Sequence, residues 1–104
     1  MTTFDDRERA FESKFAHDAE LQFRVEARRN KLLGLWAAEL LGKTGAEAEA
    51  YAAEVVKSDF REAGDADVLE KVAGDLSGKA DATVIRARMD ALLIEAGAQI
   101  AAGL

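Results

Sequence analysis

Residues 18–44 read DAELQFRVEARRNKLLGLWAAELLGKT, and the reading of this stretch decides the fold. Leu21, Val25, Leu32, Leu33, Trp36 and Leu40 recur mainly at three- and four-residue steps, the period of a helix with one apolar face. Asp18 stands where a helix would open and Gly42 where it would close, so the stretch predicts a helix over 19–41.

The same signals repeat downstream. Gly42 and Gly45 bracket Lys43-Thr44, Gly64 precedes Asp65, and Gly78 precedes Asp81, so each gap pairs a helix-ending glycine with a following Thr or Asp. Three gaps separate four helices. The second is expected over 45–63, where Thr44 and Glu47 have capping-box spacing and Ala48, Ala52, Val55, Val56 and Phe60 form the inner face. The third is expected over 66–77 on Val68, Leu69, Val72, Ala73 and Leu76. The fourth, over 82–102, carries Val84, Ile85, Met89, Leu92, Leu93, Ala96 and Ile100, the broadest apolar face of the four, and is expected to touch more than one neighbour. The chain is rich in Ala, the best helix former, and contains no Pro. Sparse β-branched residues and the lack of a period-2 run argue against strands. The predicted fold is all-α, a four-helix bundle over 18–104 with antiparallel neighbours.

At 104 residues the chain has room for one domain. Leu, Ile, Val and Phe make up 25 of those residues, above the roughly 20% below which a highly charged chain stays unfolded. A core is therefore expected. With no Cys, thiol catalysis, disulfides and zinc-thiolate sites are excluded. No apolar run approaches the ~18 residues of a membrane span, and the acidic N-terminus does not read as a signal or transit peptide. The expectation is a soluble, cytoplasmic protein. The net charge of −6 argues against nucleic acid as a partner. Residues 1–31 carry seven basic and seven acidic side chains, so the whole excess lies in 32–104, where it reads as a solubility device.

Residues 1–17 do not fit the bundle pattern. Phe4, Phe11 and Phe15 form a narrow stripe at helical spacing, but the stripe then meets Asp18 and Gln22 while apolar burial resumes from Leu21 on another face. Around the three Phe stand Asp5, Asp6, Arg7, Glu8, Arg9, Glu12 and Lys14. A segment this short is marginal as an isolated helix in water. The expectation is an arm that is disordered when free and helical when bound in a partner's groove. The alternative is a helical turn packed back on the bundle.

Candidate chemistry is thin. Lys43-Thr44 after Gly42 has the tail of a phosphate-binding loop, but Ala37 stands where the first Gly is needed and a helix precedes it. Asp65 and Asp67 have the opening spacing of a calcium loop, but Leu69 occupies the next ligand position, so they read as cap and first-turn carboxylates. His17 is the single imidazole. Beside Asp18 it is a solvated hinge residue or a pH switch. Arg24, Arg28 and Lys31 share one helix face, with Arg29 nearby. They read either as a solvated face supported by a Glu20–Arg24 pair or as a contact for a nucleotide phosphate. Trp36 reads as core. No metal site and no catalytic set is expected.

The string from Phe4 to Gly42 carries the reading further. Phe4-Asp5-Asp6-Arg7-Glu8, Ala10-Phe11-Glu12, Lys14-Phe15, His17-Asp18 and the run from Arg28 to Ala38 resemble, over essentially the full length, the ζ-type inhibitor subunit of the F-type ATP synthase of α-proteobacteria. The resemblance implies a non-enzymatic inhibitor of ATP hydrolysis. Its N-terminal segment, matching Phe4 through Phe15, would insert into a catalytic α/β interface of the head near the rotating γ shaft, much as the mitochondrial inhibitor protein does. It implies α, β and γ subunits as partners and a location peripheral to the inner membrane. It implies no required cofactor beyond weak ATP or ADP binding, with no firm nucleotide motif. The free chain is expected to be a monomer. A nucleotide-binding sensor and a helical adaptor remain alternatives.

Overall fold

A computed structural model describes residues 3–59 and 65–103, with side chains described from Ala19 onward. Among these residues the elements are four helices: α1 Thr3–Leu40, α2 Ala46–Ser58, α3 Ala66–Asp75 and α4 Ala82–Ala101. The order and the all-α class match the sequence reading. Asp18, however, opens no helix. The backbone of α1 passes through it unbroken from Thr3, because no Gly or Pro between Thr3 and Asn30 interrupts the ladder of backbone bonds. At 1.5 Å per residue α1 is about 57 Å long and sets the long axis of a molecule of 62 × 25 × 21 Å.

The hairpin between α1 and α2 closes through Gly42, whose φ of 76° is the left-handed conformation that relieves a helix end. The expected capping box is not formed. Gly45 takes the N-cap position of α2 with no side-chain cap bond, which moves the helix start one residue on and leaves Thr44 outside it. Asp81 does cap α4, its carboxylate accepting from the Val84 amide at 2.9 Å. Phe60 and Gly64 lie outside the described residues.

The core joins Leu33, Ala37 and Ala38 of α1 to Tyr51 and Val55 of α2, Val68 and Val72 of α3, and Ile85, Met89 and Leu92 of α4, with Leu76 from the turn after α3. Trp36 packs against this cluster, its ring 5.2 Å from the Arg88 guanidinium. Leu21 and Leu40, expected inside, are exposed at the two ends of the packed part of α1, and Val84 and Leu93 are exposed on α4. Leu21 and Leu93 line one open groove between α1 and α4. α4 does touch more than one neighbour, packing on both α1 and α3.

The tightest crossing is between α1 and α2 at Gly34. A methyl group there would lie 2.6 Å from the Cα of Ala52 and 3.1 Å from its Cβ. The missing side chain thus lets the two backbones approach more closely than a larger residue would allow. A short polar chain ties α2 to α3. The Tyr51 hydroxyl donates to Asp75 Oδ2 at 2.8 Å, and Lys71 Nζ donates to the same oxygen at 3.0 Å while lying 5.3 Å from the Tyr51 ring. Burial, reinforced by the Asp75 hydrogen bond and the charges of Asp75 and Glu54, pushes the Tyr51 hydroxyl well above its usual value. Burial would also raise Asp75, but hydrogen bonds from Lys71 and Tyr51 and the charges of Lys71 and Lys43 outweigh it and hold the carboxyl below the usual range. The carboxylate contribution is present above the ordinary Asp range and lost as pH falls through the depressed value. The phenol contribution is present below about pH 10 and lost as pH rises beyond it.

Replacing Gly34 by Ala tests the crossing. Helix propensity favours Ala by about 1 kcal/mol, yet the clash with Ala52 backbone is expected to dominate and destabilise the fold by about 1–3 kcal/mol. The reading is a lowered urea midpoint with an unchanged slope.

Candidate functional site

Phe4, Asp5, Asp6, Arg7, Glu8, Arg9, Phe11, Glu12, Lys14, Phe15, His17 and Asp18 all belong to α1, and their side chains lie outside the described ones. The packing of the rest of α1 is clear. Arg28 Nη1 donates to Gln99 Oε1 at 3.0 Å, and Arg88 lies over Trp36, so rising positions on α1 meet falling positions on α4. The two helices are antiparallel. Ile100, near the end of α4, shares a groove with Phe23 and Ala27, and residues 19–24 of α1 are exposed. Among the described side chains, burial on α1 thus sets in after Arg24.

That groove, of about 480 Å³, gathers the predicted basic stripe. Arg24, Arg28 and Lys31 line it together with Phe23, Ala27, Val56 of α2 and Ile100 of α4. Arg24 reaches Glu20 at 3.4 Å with both side chains more than half exposed, the supporting pair expected from the i,i+4 spacing and worth little energetically. Arg28 is held by Gln99, and Lys31 is exposed. Three cations on a half-apolar groove can attract an anion bearing an aromatic group, and no proton-transfer pair accompanies them.

Arg29 departs from this stripe. It is 2% exposed, its Nη2 lies 2.7 Å from Asp65 Oδ1, and its Nε donates to Asn30 Oδ1 at 2.7 Å. Asp65, read as a helix cap, makes no side-chain cap bond to α3 because its carboxylate is committed to Arg29. Asn30 is fully buried, and its Nδ2, like Asp67 Oδ2, has no hydrogen-bond partner. The signal for this burial was present, since Arg29 and Asn30 stand four residues before Leu33 and Gly34 on the inward face. A hydrophobicity pattern discounts it because both residues are polar. Among the described residues no group of three or more His, Asp or Glu is placed to hold a metal, and no helix is long and apolar enough to cross a membrane.

The family model for ATPase inhibitor subunit zeta matches residues 1–99. The chain belongs to that family. Membership makes it a non-enzymatic regulator associated with the F-type ATP synthase. The match spans the Phe-containing N-terminal part as well as the bundle. A protein solved in solution by NMR is 58% identical, with a TM-score of 0.75, and the alignment covers 81% of this chain and 99% of that one. No curated protein matches.

Asp65→Asn tests the α1–α3 pair. It leaves the buried Arg29 guanidinium without its counter-charge, which costs roughly 3–5 kcal/mol at a fully buried pair. Because the Asp65 side chain is 37% exposed, the expected loss is smaller, about 1–3 kcal/mol. It is read from the denaturant midpoint, with the loss absent in an Arg29→Met, Asp65→Asn double variant.

Proposed function

We propose that the chain inhibits ATP hydrolysis by the F-type ATP synthase. In this reading the N-terminal part of α1, from Phe4 to Phe15, docks in a catalytic α/β interface of the head beside the γ shaft and blocks rotation in the hydrolysis direction. The observation that carries it is the family match, which begins at residue 1 and takes in the Phe stripe. The packing is compatible with it, because residues 19–24 of α1 are exposed ahead of the buried Arg29, Asn30 and Leu33. Burying three Phe side chains would contribute about 5–9 kcal/mol gross, part of which offsets the freedom lost on association. Asp5, Asp6, Arg7, Glu8, Arg9, Glu12 and Lys14 would fix register in a polar cleft. His17 and Asp18 mark the junction between arm and bundle.

A second reading attaches to the groove of Arg24, Arg28 and Lys31, which could hold the phosphates of a nucleotide with Phe23 alongside. Calorimetric titration with ATP and ADP tests it. Heat that disappears in an Arg24→Ala, Lys31→Ala variant supports the site, and heat unchanged by the variant removes it.

The inhibitory reading is tested by ATP hydrolysis of the cognate catalytic head with added protein. Full-length chain should suppress hydrolysis, and a chain lacking residues 1–17 should keep its melting temperature but lose the effect. Phe11→Ala should leave the melt unchanged yet weaken inhibition by about thirtyfold, the loss of one central anchor of about 2 kcal/mol. A truncated chain that still inhibits would place the inhibitory surface elsewhere.

A further inference from the structure

Where α1 enters the bundle, apolar surface stays open to solvent. Leu21 is 37% exposed and Leu93 of α4 is 38% exposed. With Gln22, Val25 and Glu26 they line a groove of about 350 Å³ between the two helices. Gln22 Nε2 reaches Glu26 Oε1 at 3.4 Å, so the two polar side chains of the lining pair with each other. The rest of the lining, Leu21, Val25 and Leu93, is apolar.

The groove also lies on the line of the Phe stripe. At 100° per residue, Phe4, Phe11 and Phe15 fall within about 40° of one another, Gln22 falls in the middle of that range, and Val25 and Glu26 flank it within about 60°. The helix between them is unbroken, since α1 runs from Thr3 to Leu40. Stripe and groove therefore keep a fixed register, with positions 15 and 21 only about 9 Å apart along the axis.

This continuity selects the occupant. A cleft that grips the stripe ends less than two helical turns from the groove, and a helix without a break does not let the two surfaces turn away from each other. Once the arm is docked, contact at the groove is intramolecular and no longer carries the orientational cost of a separate encounter. We propose that the groove of Leu21, Val25 and Leu93 is a second contact for the catalytic head, taking an apolar side chain from the rim of the cleft that receives Phe4 to Phe15. The proposal rests on the inhibitory reading above and adds to it a contribution from α4. The bundle is then more than a carrier of the arm, because it seats against the head and limits how far α1 enters.

Because the chain contains no Cys, a single introduced thiol can carry a probe. A Leu93→Cys variant labelled with a polarity-sensitive fluorophore should shift its emission to the blue when the cognate catalytic head is added. The same label on Val84→Cys, exposed near the start of α4 and about 14 Å along the helix from Leu93, should not shift. In ATP hydrolysis assays, with thermal melts confirming each fold, Leu93→Ser and Leu21→Ser should each weaken inhibition by about fivefold to tenfold. Val84→Ser should inhibit as well as the wild type. A wild-type chain that does not inhibit removes the inhibitory reading and this contact with it. A wild-type chain that inhibits while the Leu93 label shifts no more than the Val84 label, or while Leu93→Ser inhibits equally well, overturns the second contact and leaves the arm in place.

Discussion

The close approach of α1 and α2 at Gly34 is the constraint on which the remaining packing rests. With 2.6 Å between a methyl group placed there and the Ala52 Cα, there is no room for any side chain between the two backbones. The crossing fixes how far Val55 and Tyr51 reach toward Leu33 and Ala37. That depth in turn sets where α3 and α4 can close the core around Leu76, Ile85 and Met89. Tightly packed interiors do not accommodate an added methylene without movement elsewhere.

Around that apolar centre, polar links of different kinds tie α3 to α1 and to α2. Arg29 brings α1 to the start of α3 with a guanidinium that is nearly inaccessible to water, so its worth depends on Asp65 staying in place. The Tyr51, Lys71 and Asp75 chain brings α2 to the end of α3 nearer the surface, where water screens it. The ten residues of α3 thus have a polar tether near each end. Few apolar contacts are then needed to hold the shortest helix in register.

Much of this was legible in the sequence. Helix number and order followed from the glycine-marked gaps, and the Asp81 cap and the Leu33, Val55, Val72 and Met89 rows followed from period. Three features were not. The continuity of α1 through Asp18 escaped because a local cap signal competes with a backbone that has no breaker, and propensity over the whole stretch prevails. The burial of Arg29 and Asn30 escaped because pattern reading sorts by polarity, whereas pairing with Asp65 is a tertiary event. The exposure of Val84 and Leu93 on α4 escaped because apolar residues on different sides of a helix blur into one broad face when only their number is considered. Of the candidate site, the grouping of Arg24, Arg28 and Lys31 was readable from helical spacing, but Val56 and Ile100 come from other helices and carry no local mark.

The unbroken backbone of α1 has a mechanical consequence. A helix resists bending over many turns, whereas a flexible linker would absorb displacement by uncoiling. Load applied to the N-terminal end of α1 would be carried as a lever into the crossing with α2, so the orientation of the bundle and that of the N-terminal end are not independent. A push or twist at one end of this rod is felt at Gly34.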